Sequence, residues 1–227
     1  MQRLIEQDLG DRVAVIACTN RSDGDLSPSM VEPTELADRR HRLVPLPWMV
    51  LRQVHSDRVI TVTGATDTAS RPVADALVSS HPGVAMAVHA GDCAPIGLVA
   101  ADGTIGLAHA GWKGLEAGVI ESTVRRLGSD DVVAVVGPHI HKESYEFGTA
   151  DLHRLSERFG TSVAAVTSDN KPAFDLTVAI ARELERLDVR VVSWSPDCTA
   201  ADPHRYWSHR ARAETGRIAM VGWLSER

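Results

Sequence analysis

The sequence predicts an α+β layered fold with mixed sheets, in one domain spanning residues 1–227. Three observations carry that expectation. Strand signals crowd the first two thirds of the chain, and helical periods fall between and after them. The two do not alternate in the regular way that a doubly wound parallel sheet requires.

The elements are justified in order along the chain. Residues 13–17 form a short apolar run that predicts a strand, and residues 34–43 a helix. Residues 48–54 and 58–63 are rich in β-formers, with a polar step between them. Residues 84–89 read as a buried strand. Residues 96–100 and 104–108 flank Ala101-Asp102-Gly103, and Asp-Gly between apolar runs is a hairpin signal. Leu115, Val119, Ile120, Val124 and Leu127 keep a helical period, with Glu121 and Arg125 placed to pair on the exposed face. Residues 132–136 predict a buried strand that stops at Gly137-Pro138. Residues 151–159 predict a helix, and Leu176, Ile180, Leu184 and Leu187 mark another. Residues 217–224 predict a closing strand. The polar stretches 19–33 and 64–72 predict loops.

Composition narrows the function. A net charge of -6 with no run of Lys or Arg lacks the basic face that a nucleic-acid backbone needs, so no nucleic-acid partner is expected. Cys18, Cys93 and Cys198 are odd in number and widely spaced, which is no disulfide framework. The N-terminal segment lacks the long apolar core of a signal peptide. No apolar stretch approaches the roughly 20 residues that span a bilayer, so a cytoplasmic location without a membrane partner is expected. Nothing in the sequence indicates an oligomeric state.

The phosphate-binding Gly-x-x-x-x-Gly-Lys-Ser/Thr loop, Gly-x-Gly-x-x-Gly, His-Glu-x-x-His and the His-x-Glu…Pro-Cys-x-x-Cys deaminase signature are all missing. A site must therefore be assembled from scattered pieces, and three stand out. His55 follows a β-rich run in Gln53-Val54-His55-Ser56. Cys93 follows a buried strand in Asp92-Cys93-Ala94-Pro95. His109 ends a strand before the tight turn Ala110-Gly111-Trp112-Lys113-Gly114. Imidazole and thiolate suit zinc, and three protein ligands leave a fourth position open, as catalytic zinc sites do. The same residues permit a metal-free reading, with Cys93 as nucleophile, His109 or His55 as its base, and Asp92 or Asp75 orienting that base. They equally permit a buried Cys and two core histidines.

In order along the chain, Gln53-Val54-His55, Ala74-Asp75-Ala76, Asp92-Cys93-Ala94-Pro95 and Ala108-His109-Ala110-Gly111-Trp112-Lys113-Gly114 resemble the YfiH family. This is the laccase-domain or polyphenol-oxidase-like family. Gly137-Pro138-His139-Ile140, Tyr145-Glu146, Cys198-Thr199, Ser208-His209-Arg210 and Thr215-Gly216-Arg217 extend the resemblance over nearly the whole chain. Departures are Ala90-Gly91 for Thr-Ala, Ser56 for Gly, Ala211 for Arg, and a degenerate loop at residues 25–31.

The resemblance implies a layered α/β/β/α sandwich similar to the catalytic domain of cytotoxic necrotizing factors, with His55, Cys93 and His109 as metal ligands. It implies a zinc-dependent purine nucleoside phosphorylase acting on adenosine, inosine, guanosine and methylthioadenosine, with adenosine deaminase activity beside it. The partners are then a purine nucleoside and phosphate. Members have also been described as copper-dependent polyphenol oxidases, so copper is possible; a multicopper site, however, needs more His ligands than these. Others are linked to editing of peptidoglycan precursors, and a hydrolase or amidase using Cys93 on such a precursor is the alternative. Phosphate needs cationic partners. The family's Asn-Arg pair aligns Arg40 with its arginine, Arg210 matches a C-terminal arginine, and Lys113 stands at a predicted helix start. For deamination, Asp92 and Asp75 are the candidate acids, and either can instead orient a ligand His. His139, His141 and His89 lie off the family pattern and are assigned no role. Trp112 is expected to pack at the turn or to stack on a purine.

Overall fold

The computed structural model describes residues 1–226. The chain runs through β1 (Gln2–Asp8), β2 (Arg12–Cys18), α1 (Pro33–Leu43), β3 (Trp48–Val50), β4 (Val59–Thr61), β5 (Ala76–Ser79) and β6 (Ala85–Ala90). It continues through β7 (Ala94–Ala100), β8 (Ile105–Ala110), α2 (Trp112–Ala117), α3 (Val119–Leu127), β9 (Val132–Val136) and α4 (Thr149–Phe159). It closes with β10 (Ala164–Val166), β11 (Pro172–Phe174), α5 (Leu176–Arg186), β12 (Arg190–Trp194), α6 (His209–Arg212) and β13 (Ile218–Glu226).

Two mixed sheets result. One has the order β1-β2-β13-β6-β3, the other β12-β9-β7-β8-β5-β4. Period-two alternation explains why they stack. Ile16, Met86, Val88 and Met220 of the first sheet share one core with Leu77, Val99, Leu107 and Val135 of the second. On the second sheet's other face, Ile96, Leu98, Ala134 and Val136 pack against Leu115, Ile120, Leu155 and Ile180 of the helices. On the first sheet's other face, Ala87, Ala219 and Val221 pack against Leu36 of α1 and Val44. The expected α+β architecture is thus present, and its layers run helix, sheet, sheet, helix. Strands buried on both faces account for the continuous apolar run 132–136. Each fully buried Leu, Ile or Val contributes about 1.5–3 kcal/mol relative to exposure.

Several expectations are revised. The helical period from Leu115 to Leu127 is two helices, because Gly118 adopts a left-handed φ of 97° and its N–H turns back to Gly114 and Leu115. The β-rich run 48–54 pairs only over Trp48–Val50, beyond which Arg52 makes one bridge to Val73. The two expected loops each contain a short 3-10 turn, Arg21–Asp23 and Ala65–Ala69. The hairpin around Asp102-Gly103 is present, with Gly103 at a φ of 84°. Strands β1, β5, β10, β11 and β12 were not among the expected elements, and β5 is only four residues long. β1 and β12 are sheet edges whose residues are largely exposed or half-buried, and the β10–β11 ladder is three residues long.

Candidate metal centre and pocket

The site forms where the chain passes from one sheet to the other. β3 lies in the first sheet and β4 in the second, and His55 sits on the connection between them. β6 lies in the first sheet and β7 in the second, and Asp92 and Cys93 sit on that connection. His109 comes from β8, which pairs beside β7. Both connections are tight: His55 has a φ of 62° and Asp92 a φ of 98°, left-handed values that cost non-glycine residues free energy. Residues from two sheets thereby converge at one end of the sandwich.

The donor atoms of His55, Cys93 and His109 lie within 4.8 Å of one another. Cys93 Sγ stands 3.7 Å from His55 Nε2. Zinc bonds of about 2.3 Å to sulfur and 2.0–2.1 Å to nitrogen at a tetrahedral angle imply a separation of about 3.6 Å. The chemistry of the donor set and the Cys93–His55 spacing therefore suit such an ion. Gly111 keeps the space clear, because a Cβ there would stand 2.7 Å from Cys93 Sγ and 2.8 Å from His55 Cδ2.

Asp75 ties the centre together. Its fully buried carboxylate lies 3.0 Å from His109 Nδ1 and accepts from the backbone N–H of Val54, His55 and Ser56 and from the Ser56 hydroxyl. This is the orienting role, in place of the acid role also considered for it. With Nδ1 facing Asp75, Nε2 of His109 is turned to Cys93 and any bound ion. Burial disfavours the charged Asp75, but the hydrogen bonds from His109 and Ser56 outweigh it and hold its carboxyl well below the usual range. Burial likewise opposes the Cys93 thiolate, and the charge and hydrogen bond of His109 outweigh it, lowering the thiol. His109 is raised in turn: the Cys93 thiolate and Asp75 overcome its desolvation.

These residues floor a cavity of about 480 Å³. Its walls include Asp92, Trp112, Tyr145, Arg71, Arg210 and Arg217, with Ser27–Ser29 closing one side from the loop 19–33. Asp92 accepts from the Thr199 hydroxyl at 2.7 Å and from the Arg210 backbone N–H at 2.6 Å, which anchors α6 over the pocket. The Arg210 side chain lies across Tyr145, its guanidinium carbon 4.7 Å from the ring, and donates to the Glu146 carbonyl. Arg40 stands outside the lining, on α1 over Trp48 at 5.6 Å, and Lys113 is exposed over Trp112 at 5.3 Å. Sequence reasoning assigned no role to Arg71, Arg217 or Tyr145, all of which face the cavity. Arg217 and Tyr145 stand inside quoted motifs, and Arg71 carries no local signal. His139 is fully buried and bonded to Gly137 O and Thr177 Oγ1, away from this lining.

The family model described as multi-copper polyphenol oxidoreductase laccase matches residues 19–225. A Xylella fastidiosa protein named purine nucleoside phosphorylase is 34% identical over 185 residues, covering 77% of this chain and 71% of its own. A Mycobacterium tuberculosis protein of the same name is 34% identical over 209 residues, covering 85% and 81%. The Escherichia coli purine nucleoside phosphorylase YfiH is 31% identical over 205 residues, covering 85% and 82%. Among solved structures, a Neisseria meningitidis protein superposes with a TM-score of 0.82 at 25% identity, covering 98% of this chain and 99% of its own. Bacillus licheniformis YfiH shares the fold, with a TM-score of 0.81 at 19% identity over 98% and 99%. With the His-Cys-His centre in place and the match running across nearly the whole chain, the protein belongs to the YfiH family.

Proposed function

We propose that the protein is a zinc-dependent purine nucleoside phosphorylase with adenosine deaminase activity beside it. The observation that carries this reading is the His55–Cys93–His109 donor set flooring a cavity that also holds arginines and aromatic rings. Relatives named purine nucleoside phosphorylase support the substrate class.

In phosphorolysis a phosphate oxygen bonds to the ribose anomeric carbon. The carbon–nitrogen bond to the purine breaks, and the base leaves with the electron pair and takes up a proton. Bound zinc would supply Lewis-acid polarisation at the cavity floor. Arg71 and Arg217 draw the phosphate in, and their forked donors orient its oxygens. Trp112, half-buried in the lining, offers aromatic surface to a purine. Asp92, engaged by Thr199 and Arg210, holds the pocket wall in position.

The test is metal content by mass spectrometry together with free-base release from adenosine and inosine. About one zinc per chain and base release that requires phosphate support the reading. Ammonia release from adenosine reports the deaminase activity. Base release unaffected by phosphate would overturn it.

One observation favours a second reading. Cys93, His109 and Asp75 are also in the order of a thiol nucleophile, its base and the base's orienting carboxylate. A hydrolase or amidase acting on a cell-wall precursor would survive chelation and be lost on alkylation of Cys93. The phosphorylase loses activity to the chelator.

A further inference from the structure

His89 is a buried titratable group that the mechanism above does not use. It is the penultimate residue of β6, on the face turned towards α1, is 6% exposed, and lines the same cavity as the metal donors. Neither of its ring nitrogens has a hydrogen-bond partner among the described residues. A buried imidazole left in that state has lost its hydration without replacement. Its backbone, by contrast, is clamped. Gln53 Nε2 donates to the His89 carbonyl and His89 N–H donates to Gln53 Oε1, both at 2.8 Å. Gln53 lies two residues before His55, so the ring is held in fixed relation to the loop that carries a metal donor.

Burial and the nearest cations act on it in one direction, while the carboxylate of the same cavity, Asp92, is engaged by the Thr199 hydroxyl and the Arg210 backbone N–H. Arg40, Arg71, His109 and Arg217 all act on His89, and with burial they hold it neutral, at about 3. A neutral imidazole keeps one N–H to donate. Arg40, Arg71 and Arg217 have no carboxylate within ion-pair distance among the described residues. Arg40 Nε and Nη2 are buried without a hydrogen-bond partner among the described residues, and Arg40 is itself lowered to about 10 by burial and by Arg71. Arg217 lies close over the backbone at Gly91, where a Cβ would stand 3.1 Å from its Cδ and Nη1. Arg71 donates to the Leu51 carbonyl and Arg217 to the Glu214 and Gly216 carbonyls, so their partners are neutral, and guanidinium groups without a carboxylate beside an unpaired imidazole suit an oxyanion.

We propose that His89 is a phosphate-binding residue, donating from its imidazole to inorganic phosphate held between Arg71 and Arg217. The site shares its cavity with the donors His55, Cys93 and His109. The assignment of phosphate as the anion rests on the phosphorylase reading, whereas the anion site itself rests on the geometry.

The experiment is calorimetric titration of inorganic phosphate into the zinc-loaded protein and into His89→Leu, His89→Asn and Arg71→Met, without nucleoside. The expected result is saturable binding by the unmodified protein and about a tenfold loss in His89→Leu, the worth of one hydrogen bond to a charged group. His89→Asn, which keeps a donor, recovers part of that loss, and Arg71→Met weakens binding at least as much as His89→Leu. Melting temperature and zinc content identify a variant that fails to fold, and the remaining variants then decide. Unchanged phosphate affinity in a folded His89→Leu, or no binding of phosphate by the unmodified protein, overturns the proposal. Phosphate binding that follows this pattern, in a protein that releases no base from any purine nucleoside, upholds the site and removes the phosphorylase reading.

Discussion

Asp75 Oδ1 lies 3.0 Å from His109 Nδ1 and accepts the His55 backbone N–H at 2.9 Å, so one carboxylate fixes two of the three candidate metal donors. Its remaining bonds go to Val54 and Ser56. Asp75→Asn removes the charge and turns an acceptor into a donor facing backbone N–H groups. Metal affinity is expected to fall about 10–100-fold, as losses of such partners do. A chelator competition assay measures this, and an unchanged affinity would show that the loop holds its shape without Asp75. The pH dependence has a definite sign. The folded Asp75 is lowered, so its contribution is present above about pH 4 and lost as pH falls further. The variant therefore lacks that part of the acid destabilisation seen in the unmodified protein.

Gly111→Ala separates the centre from the fold. The new Cβ meets Cys93 Sγ at 2.7 Å and His55 Cδ2 at 2.8 Å, both of which are side chains able to move. The backbone φ of Gly111 is -82°, which alanine adopts without strain. The expected outcome is a folded protein with little bound metal. Circular dichroism and metal analysis on the same sample check it, and full metal occupancy would refute the close packing inferred at this turn.

The grouping of His55, Cys93 and His109 was legible because each follows a β-run and carries an atom suited to zinc. The Asp-Gly hairpin was legible because its turn chemistry is local. Asp75 was legible as a candidate to orient a ligand His, but which His it meets was not, since its partners lie 20 and 34 residues away and only the β5–β8 pairing brings His109 to it. Arg71 and His89 were missed or set aside for the same reason. Which way a strand-end or loop side chain points depends on sheet register and on crossovers between sheets, and no spacing rule encodes either. The break at Gly118 was hidden because the apolar period continues through it while the backbone does not.

Cys93 in the metal-free protein is expected to alkylate readily near neutral pH. The neighbouring His109 and His55 lower its thiol, so the reactive thiolate persists below the range where an ordinary cysteine protonates. Cys18 is an internal control: burial, reinforced by Asp23, pushes it up to about 12. Iodoacetamide labelling followed by peptide mass spectrometry should mark Cys93 and spare Cys18, and prior zinc loading should protect Cys93. Equal labelling with and without zinc would argue that the thiolate is not a ligand.

Gly97 marks a close approach of the two sheets. It lies on β7, and a Cβ there would stand 2.8 Å from Ile16 Cδ1 and 2.9 Å from Val135 Cγ2. Ile16 is fully buried on β2 of the facing sheet and Val135 sits on the neighbouring strand β9, so neither side chain has free space to move into. Gly97→Ala therefore overfills the inter-sheet core, at a cost of about 1–3 kcal/mol. For a chain of this size each kcal/mol lowers the melting temperature by about 2–4 °C. Ile16→Val removes one methyl from that contact and should restore part of the loss in the double variant. Thermal melts of the two single variants and the double variant measure the coupling. Strictly additive effects would mean that Gly97 and Ile16 do not touch, and would contradict the sheet-on-sheet packing that positions the metal donors.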